Sequence, residues 1–395
     1  MKLLIPALVL LSASAMAADF KFGMEGRFDY GNSTVKHETN VSTNNYQEKR
    51  SEFYSNILRL NASAVINENL SARFRYRLSS PQETNAKLHD LSFSNVDYFY
   101  IDHKTQWVTA RIGKSSQIES VGREFFVAGT DFPVTSYGFG NGSGAAGTTG
   151  YASMNSAVYN QLNTDAGLYH VGLSLINNTA VEGQTFTLSA FNPQKAQILN
   201  DTAGPANDSK TSKMGIGAYY NGKFLGGLVQ PTLGYTTLGI APETGSATPA
   251  NNGPSASYKL MAAGIRSEVA GFVIDADWKQ YKRDNTVASA TSLTTNADKT
   301  TSVWANIAYT WDMLTPFVTY IHDKYDRTAA NNATIGDYKR DALSVGVQIT
   351  PYKDNNFRYH VAYSSDVRKN ELTAASTADT KVKANIIVAG IKFDL

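Results

Sequence analysis

Leu70-Ser71-Ala72-Arg73-Phe74-Arg75-Tyr76-Arg77-Leu78 alternates without a break. Leu70, Ala72, Phe74, Tyr76 and Leu78 form an apolar set, while Ser71, Arg73, Arg75 and Arg77 form a polar, cationic one. A period of two puts these sets on opposite faces of a single β-strand. A soluble β-sandwich also alternates. Charge in the middle of a strand, however, suits a wall with water on one side and hydrocarbon on the other.

The same two-sidedness extends outward along the chain. Phe20, Phe22, Met24, Phe28 and Tyr30 oppose Lys21, Glu25, Arg27 and Asp29, and Leu58, Leu60, Ala62 and Ala64 oppose Arg59, Asn61 and Ser63. Towards the C-terminus, Phe272, Ile274, Ala276 and Trp278 oppose Asp275, Asp277 and Lys279. Val303, Ala305, Ile307, Tyr309 and Trp311 oppose Ser302, Asn306 and Thr310, and Phe357, Tyr359, Val361 and Tyr363 oppose Arg358, His360 and Ser364. Aromatics near strand ends (Phe20, Tyr30, Tyr76, Tyr98, Tyr100, Trp278, Trp311) fit membrane girdles. Connections alternate too: turns such as Asn67-Glu68-Asn69 and Asp312-Met313 are short, whereas 32–51, 79–90, 115–156, 240–256, 282–301, 324–339 and 367–383 are long. Short turns on one rim and long loops on the other are the pattern of an all-β transmembrane antiparallel β-barrel, with short periplasmic turns and long extracellular loops.

Composition sets the bounds. The chain has 395 residues, 36 Lys+Arg against 34 Asp+Glu, and no cysteine. Disulfides, thiolate metal sites and thiol nucleophiles are therefore excluded, and the near-balanced charge gives no pull towards nucleic acid. Residues 1–17 read as a signal peptide: Lys2, the apolar run Leu3–Leu11, then Ala15-Met16-Ala17 as a cleavage site. Nine apolar residues interrupted by Pro6 are too few for a spanning helix. Beyond Ala18 no apolar run exceeds six residues, as in Leu260–Ile265, so 18–395 reads as one barrel domain.

Successive alternating segments give seventeen candidate strands, and a single-chain bacterial barrel with both ends in the periplasm needs an even number. Sixteen results if 157–162 belongs to the preceding loop; eighteen results if Lys195–Leu199 hides another strand. Sixteen is the simpler assignment, and either size leaves an aqueous channel.

The chain ends Ile387-Val388-Ala389-Gly390-Ile391-Lys392-Phe393-Asp394-Leu395, with Ile391, Phe393 and Leu395 on one face up to the carboxylate. This resembles the C-terminal signal by which bacterial outer-membrane porins are recognised for insertion by the barrel-assembly machinery. Leu395 stands where those proteins usually carry Phe. Phe22-Gly23-Met24-Glu25-Gly26-Arg27-Phe28-Asp29-Tyr30 is similar to the first strand of trimeric general and phosphate-selective porins. Leu58–Leu78 resembles their first periplasmic hairpin, and Val108–Lys114 the strand leading into their third loop. The resemblance implies a sixteen-stranded homotrimer in the outer membrane of a Gram-negative bacterium, surrounded by outer-membrane lipid. It implies passage of small hydrophilic solutes and ions by passive diffusion, no cofactor, and a third loop that folds inward and narrows the lumen.

Selectivity in such a lumen would come from inward side chains at the narrow point, where low-dielectric walls focus the field. The candidates are Arg73, Arg75 and Arg77, with Arg59 on the preceding strand and Arg27 and Arg111 nearby. They form either a track for anionic solutes or ordinary lumen residues paired with acids on adjacent strands. The loop 115–156 offers Glu119, Arg123, Glu124 and Asp131, then the glycine-rich run 138–144. Those acids either face the arginines across a constriction or merely solubilise a surface loop. No Lys-Ser/Thr follows the glycines, so they do not form a phosphate-cradling loop.

Other classes are weaker. The histidines lie outside any G-x-S-x-G or H-E-x-x-H context, so no catalytic residue and no metal ligand is nominated. His322 and His360 lie on neighbouring hairpins, and Asp275 and Asp277 share a face that Lys279 continues and neutralises. An anchoring or adhesion barrel remains as an alternative, though smaller barrels suffice for that task.

Overall fold

The computed structural model describes residues 19–39, 45–79, 96–115, 122–124, 135–137, 151–153, 156–159, 170–178, 183–192, 214–240, 255–288, 293–328, 337–352, 357–371 and 379–395. The expected leader, 1–17, lies outside them. The first five strands are β1 (Asp19–Thr39), β2 (Tyr46–Asn67), β3 (Leu70–Ser79), β4 (Val96–Lys104) and β5 (Val108–Ser115). A small hairpin, β6 (Thr135–Tyr137) and β7 (Tyr151–Ser153), lies within the loop that follows. The wall resumes with β8 (His170–Asn177), β9 (Gln184–Asn192), β10 (Gly215–Gly222), β11 (Gln230–Ile240) and β12 (Ser255–Val269). It is completed by β13 (Phe272–Ala288), β14 (Leu293–Tyr309), β15 (Leu314–Thr328), β16 (Asp337–Ile349), β17 (Phe357–Glu371) and β18 (Asp379–Asp394).

Sixteen of these strands close an antiparallel barrel in the order β1-β18-β17-β16-β15-β14-β13-β12-β11-β10-β9-β8-β5-β4-β3-β2, with β6-β7 as a separate two-stranded sheet. Of the surplus candidate at 157–162, Ala157–Tyr159 is a helical turn rather than a strand, and 160–162 lie outside the described residues. Lys195–Leu199 lies outside the described residues, but β9 pairs directly with β10, which leaves no gap in the wall for an eighteen-strand circuit.

Closure joins the chain ends. β1 pairs with β18 from Glu25↔Asp394 to Lys36↔Lys383, and the backbones of Met24 and Leu395 exchange two hydrogen bonds of 2.8 Å. In a membrane this matters because an open edge would leave unsatisfied N–H and C=O groups in hydrocarbon. The alternation resolves into inside and outside as expected: Phe22, Phe28 and Tyr30 are exposed on the outer face, whereas Glu25, Arg27 and Asp29 are buried within.

Two expectations are corrected. Several long connections are mostly strand: β1 and β2 run to Thr39 and from Tyr46, and β13 and β14 run to Ala288 and from Leu293. Beyond the membrane both faces of a hairpin meet water, so the hydropathy pattern fades while the backbone ladder continues. Tyr98 and Tyr100 also leave the girdle set, because they point inward against arginines.

Candidate pore constriction

Period two on β2 and β3 sends Arg59, Arg73, Arg75 and Arg77 to the same inner surface, paired in register as Arg59↔Arg77, Asn61↔Arg75 and Ser63↔Arg73. Arg111 joins them from β5 through the register Asp102↔Arg111 and Arg73↔Tyr100. Their partners divide them into two groups. Arg77 binds Asp97 at 3.0 Å, and Arg59 lies 3.5 Å from both Asp97 and Glu25. Arg111 forms a two-pronged pair with Asp102 at 2.8 and 2.9 Å and stacks 4.2 Å over the Tyr100 ring. The other group is different. Arg75 donates to the Asn61 carbonyl at 2.9 Å and stacks on Tyr98 at 4.6 Å; Arg73 approaches the same ring at 5.2 Å. Among the described residues neither has a salt bridge to a carboxylate. Five guanidinium groups, with Lys392 also 3.5 Å from Glu25, therefore share three carboxylates, Glu25, Asp97 and Asp102, and Arg73 and Arg75 are the two arginines left without a carboxylate salt bridge among the described residues.

Arg27, expected near this row, is buried and bound to Asp29 at 2.9 Å, which in turn meets His360 at 2.6 Å. This chain of contacts ties β1 to β17 beneath the lumen surface.

The described residues Gly122–Glu124 of the loop that follows β5 dock on β13, across the barrel from the arginine wall. Arg123 pairs with Asp275 at 3.0 Å, and the Glu124 backbone N–H donates to Asp277 at 2.6 Å. The Glu124 carboxylate is fully buried: it takes a salt bridge from Lys279 and hydrogen bonds of 2.6 Å from both the backbone N–H and the hydroxyl of Ser156. Gly122 permits the approach. It adopts φ +89°, and a Cβ there would stand 2.8 Å from the Asp277 carboxylate, so any side chain would push the latch off the wall. On the return limb, Ala157 donates to Asp323 at 3.0 Å and Val158 to the Ser302 hydroxyl at 3.2 Å. Arg340 holds Asp323 in place at 3.1 Å while binding Asp366 at 2.7 Å. In the circuit of sixteen strands β15 stands eight places from β5, directly opposite it. Ala157 and Val158 therefore stand against the wall opposite the strand that the loop leaves.

An apolar inner patch accompanies this docking. Trp304, Ala308, Phe317, Ile321, Ala342, Ala362 and Val388 project inward from β14 to β18, and all are buried. An inward apolar surface next to open water would be exposed; here the β6–β7 hairpin lies against β17 and β18. The burial of that face favours an inward-folded loop independently of the polar latch.

The expected site residues thus separate by place. Arg59, Arg73, Arg75, Arg77 and Arg111 share one wall. Arg123 and Glu124 lie across from it, packed between loop and barrel rather than lining open water. Glu119 and Asp131, and the glycine run 138–144, lie outside the described residues. Ile391, Phe393 and Leu395 lie on the outer face of β18. His322 is on the outer surface against Asp341 at 2.8 Å, so it does not meet the inward His360. Asp97, Asp102, Tyr98, Tyr100 and Asp323 were not foreseen. For Tyr98, Tyr100 and Asp102 the sequence signal is their shared parity on β4 with the inward face; Asp97 departs from that parity at the register shift between Arg75 and Tyr76, and Asp323 lies on β15.

The sequence model of a family described as Gram-negative porin matches residues 5–347. No curated protein matches the chain by sequence. Among solved structures, the outer-membrane channel DcaP of Acinetobacter baumannii is similar with a TM-score of 0.57 at 12% identity, covering 96% of this chain and 98% of that one. OmpT of Vibrio cholerae, expressed in the outer membrane, gives 0.56 at 15% identity with the same coverages. OmpF of Salmonella typhi in complex with daunomycin gives 0.52 at 13%, again covering 96% and 98%. At such identities the likeness is one of fold.

Proposed function

The chain belongs to the Gram-negative porin family, and from that premise we propose that its channel favours anionic solutes at a constriction built from Arg59, Arg73, Arg75, Arg77 and Arg111. As a porin it forms a water-filled passage through the outer membrane by which small solutes diffuse passively, and the family points to a channel rather than an enzyme. The observation that carries the proposal is the pair Arg73 and Arg75, held by a tyrosine ring and an amide rather than by carboxylates. Stacking fixes each guanidinium without neutralising it, leaving N–H donors to a passing anion. The docked loop brings the opposite wall closer, so the field of these arginines acts across a narrowed path.

The test is the reversal potential under a salt gradient in a planar bilayer. Arg73→Gln with Arg75→Gln should move it towards cation preference, because it removes two cations held by a ring and an amide while Glu25, Asp97 and Asp102 keep their arginine partners. An unchanged reversal potential would remove the central pair from its role.

We propose further that the protein assembles as a homotrimer, as a trimer form of OmpT from Vibrio cholerae is known. Conductance arriving in steps of three is the expected record, and single equal steps would contradict it. Cleavage of 1–17 on export and delivery through the barrel-assembly machinery complete the reading; mass spectrometry of the mature N-terminus should begin at Ala18.

A further inference from the structure

The outer face of the barrel carries a regular cationic feature unrelated to the lumen. On β13, β14 and β15 an exposed outward lysine stands ten residues from an outward apolar residue at the periplasmic end: Phe272 and Lys282, Tyr309 and Lys299, Leu314 and Lys324. The same interval recurs on β16, β17 and β18 as Ile349 and Lys339, Tyr359 and Lys369, Phe393 and Lys383, and on β12 as Val269 and Lys259. Ten residues at about 3.3 Å each, on strands tilted by roughly 40°, span about 25 Å, the height of the apolar band of an outer-membrane barrel. The lysines therefore stand at the upper edge of that band, at the level of lipid headgroups.

Register sharpens the point. Lys259 lies directly opposite Lys282, and Lys282 opposite Lys299. Lys324 lies opposite Lys339, and Lys339 opposite Lys369. Like charges directly opposed across a ladder are unfavourable, so the row makes physical sense where anions lie between its members. Carboxylates answer part of it: Asp326 binds Lys324 at 2.8 Å and Glu371 binds Lys339 at 3.3 Å, while Asp284, Asp337 and Asp341 lie on the same outer face. The seven lysines still exceed these five acids. The outward residues of β8 to β11 that the structure describes include no lysine, so the belt occupies one side of the barrel.

We propose that this belt binds the phosphate groups of outer-leaflet lipids, holding a shell of anionic lipid against β12 to β18. This goes beyond the channel reading and does not depend on it. The ligand is a phosphate anchored by acyl chains, because Trp278, Val303, Val318, Val345 and Val361 form the exposed apolar surface below the lysines. Free phosphate would lack that second contact.

The test uses the folded protein in phosphatidylcholine nanodiscs containing one part in ten of diphosphoryl lipid A, with retained lipid A quantified after exchange into pure phosphatidylcholine. The wild type should retain lipid A, and a variant with Lys282, Lys299, Lys324, Lys339 and Lys369 changed to Gln should retain at least about tenfold less, a basic residue near an anionic surface contributing roughly fivefold. The matching Lys→Arg variant should retain it as the wild type does, and this variant separates charge from side-chain identity. Heat-modifiable migration on gels verifies that each barrel is folded; if the Gln variant fails that check, two-lysine variants at Lys324 with Lys339 and at Lys282 with Lys299 replace it, each expected to show a partial loss. Equal retention of lipid A stripped of both phosphates, or unchanged retention by the Gln variants, would overturn the proposal. Displacement of lipid A by millimolar inorganic phosphate alone would assign the belt to a soluble anion and overturn the lipid source.

Discussion

Glu124→Gln should raise single-channel conductance and add flicker to an otherwise steady open level. The substitution keeps the shape of the side chain and removes the charge that faces Lys279 and the Ser156 N–H and hydroxyl. Lys279 is then left, fully buried, with Asp277 at 3.6 Å as its remaining carboxylate. Removing one partner of a buried pair typically costs about 3–5 kcal/mol because the other charge stays desolvated. Here the loop has an alternative to bearing that cost: it can leave the wall and let water reach Lys279. Because the latch lies between the two limbs of the loop, gripping Ser156 as well as the barrel, its loss frees both limbs together. Lys279→Met should produce the same phenotype from the other side. The double variant should be no worse than either single one, since residues that act as a unit are strongly non-additive. Unchanged conductance in Glu124→Gln, or effects that simply add, would show that the apolar patch alone holds the loop.

The contrast between this latch and the arginine wall shows what the sequence can and cannot reveal. Arg73, Arg75 and Arg77 share a face because a strand has a period of two, and nothing beyond their own spacing is needed to place them together. Their proximity to Arg59 requires one short turn, Glu68-Asn69, which the sequence also displays. The latch has no such local signature. Glu124 and Lys279 are 155 positions apart, and they meet because a loop from β5 crosses to β13. Sequence could offer only that acids occur in a long loop, and those acids could equally face water. Trp304, Phe317 and Ile321 carried a readable clue, since they break the polar side of otherwise regular strands. An apolar residue pointing into a lumen signals that something covers it. Tyr98 and Tyr100 mislead for a related reason: a tyrosine near a strand end fits a membrane girdle and a guanidinium stack equally well. Only register distinguishes the two.

Deletion of Ile391–Leu395 should abolish the folded barrel, the largest effect expected from any terminal change. These five residues supply the last rungs between β18 and β1, from Phe28↔Ile391 to Glu25↔Asp394, and Leu395 adds the two backbone bonds to Met24. Without them the lower ends of β1 and β17 present open edges within the hydrocarbon, where each unsatisfied backbone group costs several kcal/mol. Side chains reinforce the seam. The Phe393 ring lies across Gly26, at a place no Cβ could occupy, and stacks 6.3 Å from Phe28. Loss of heat-modifiable migration in refolded protein would show the failure directly. Closure and the proposed recognition by an assembly machinery can be separated at Leu395, whose side chain is exposed and whose backbone makes the closing bonds. Leu395→Asp keeps the backbone seam and spoils the terminal apolar face, so it should refold in detergent yet reach the outer membrane in much lower amount. Leu395→Phe, which completes the pattern the terminus resembles, should assemble at least as well as the wild type. If Leu395→Asp fails equally in detergent and in cells, the last residue acts through the barrel's own stability, and the proposed insertion signal loses Leu395.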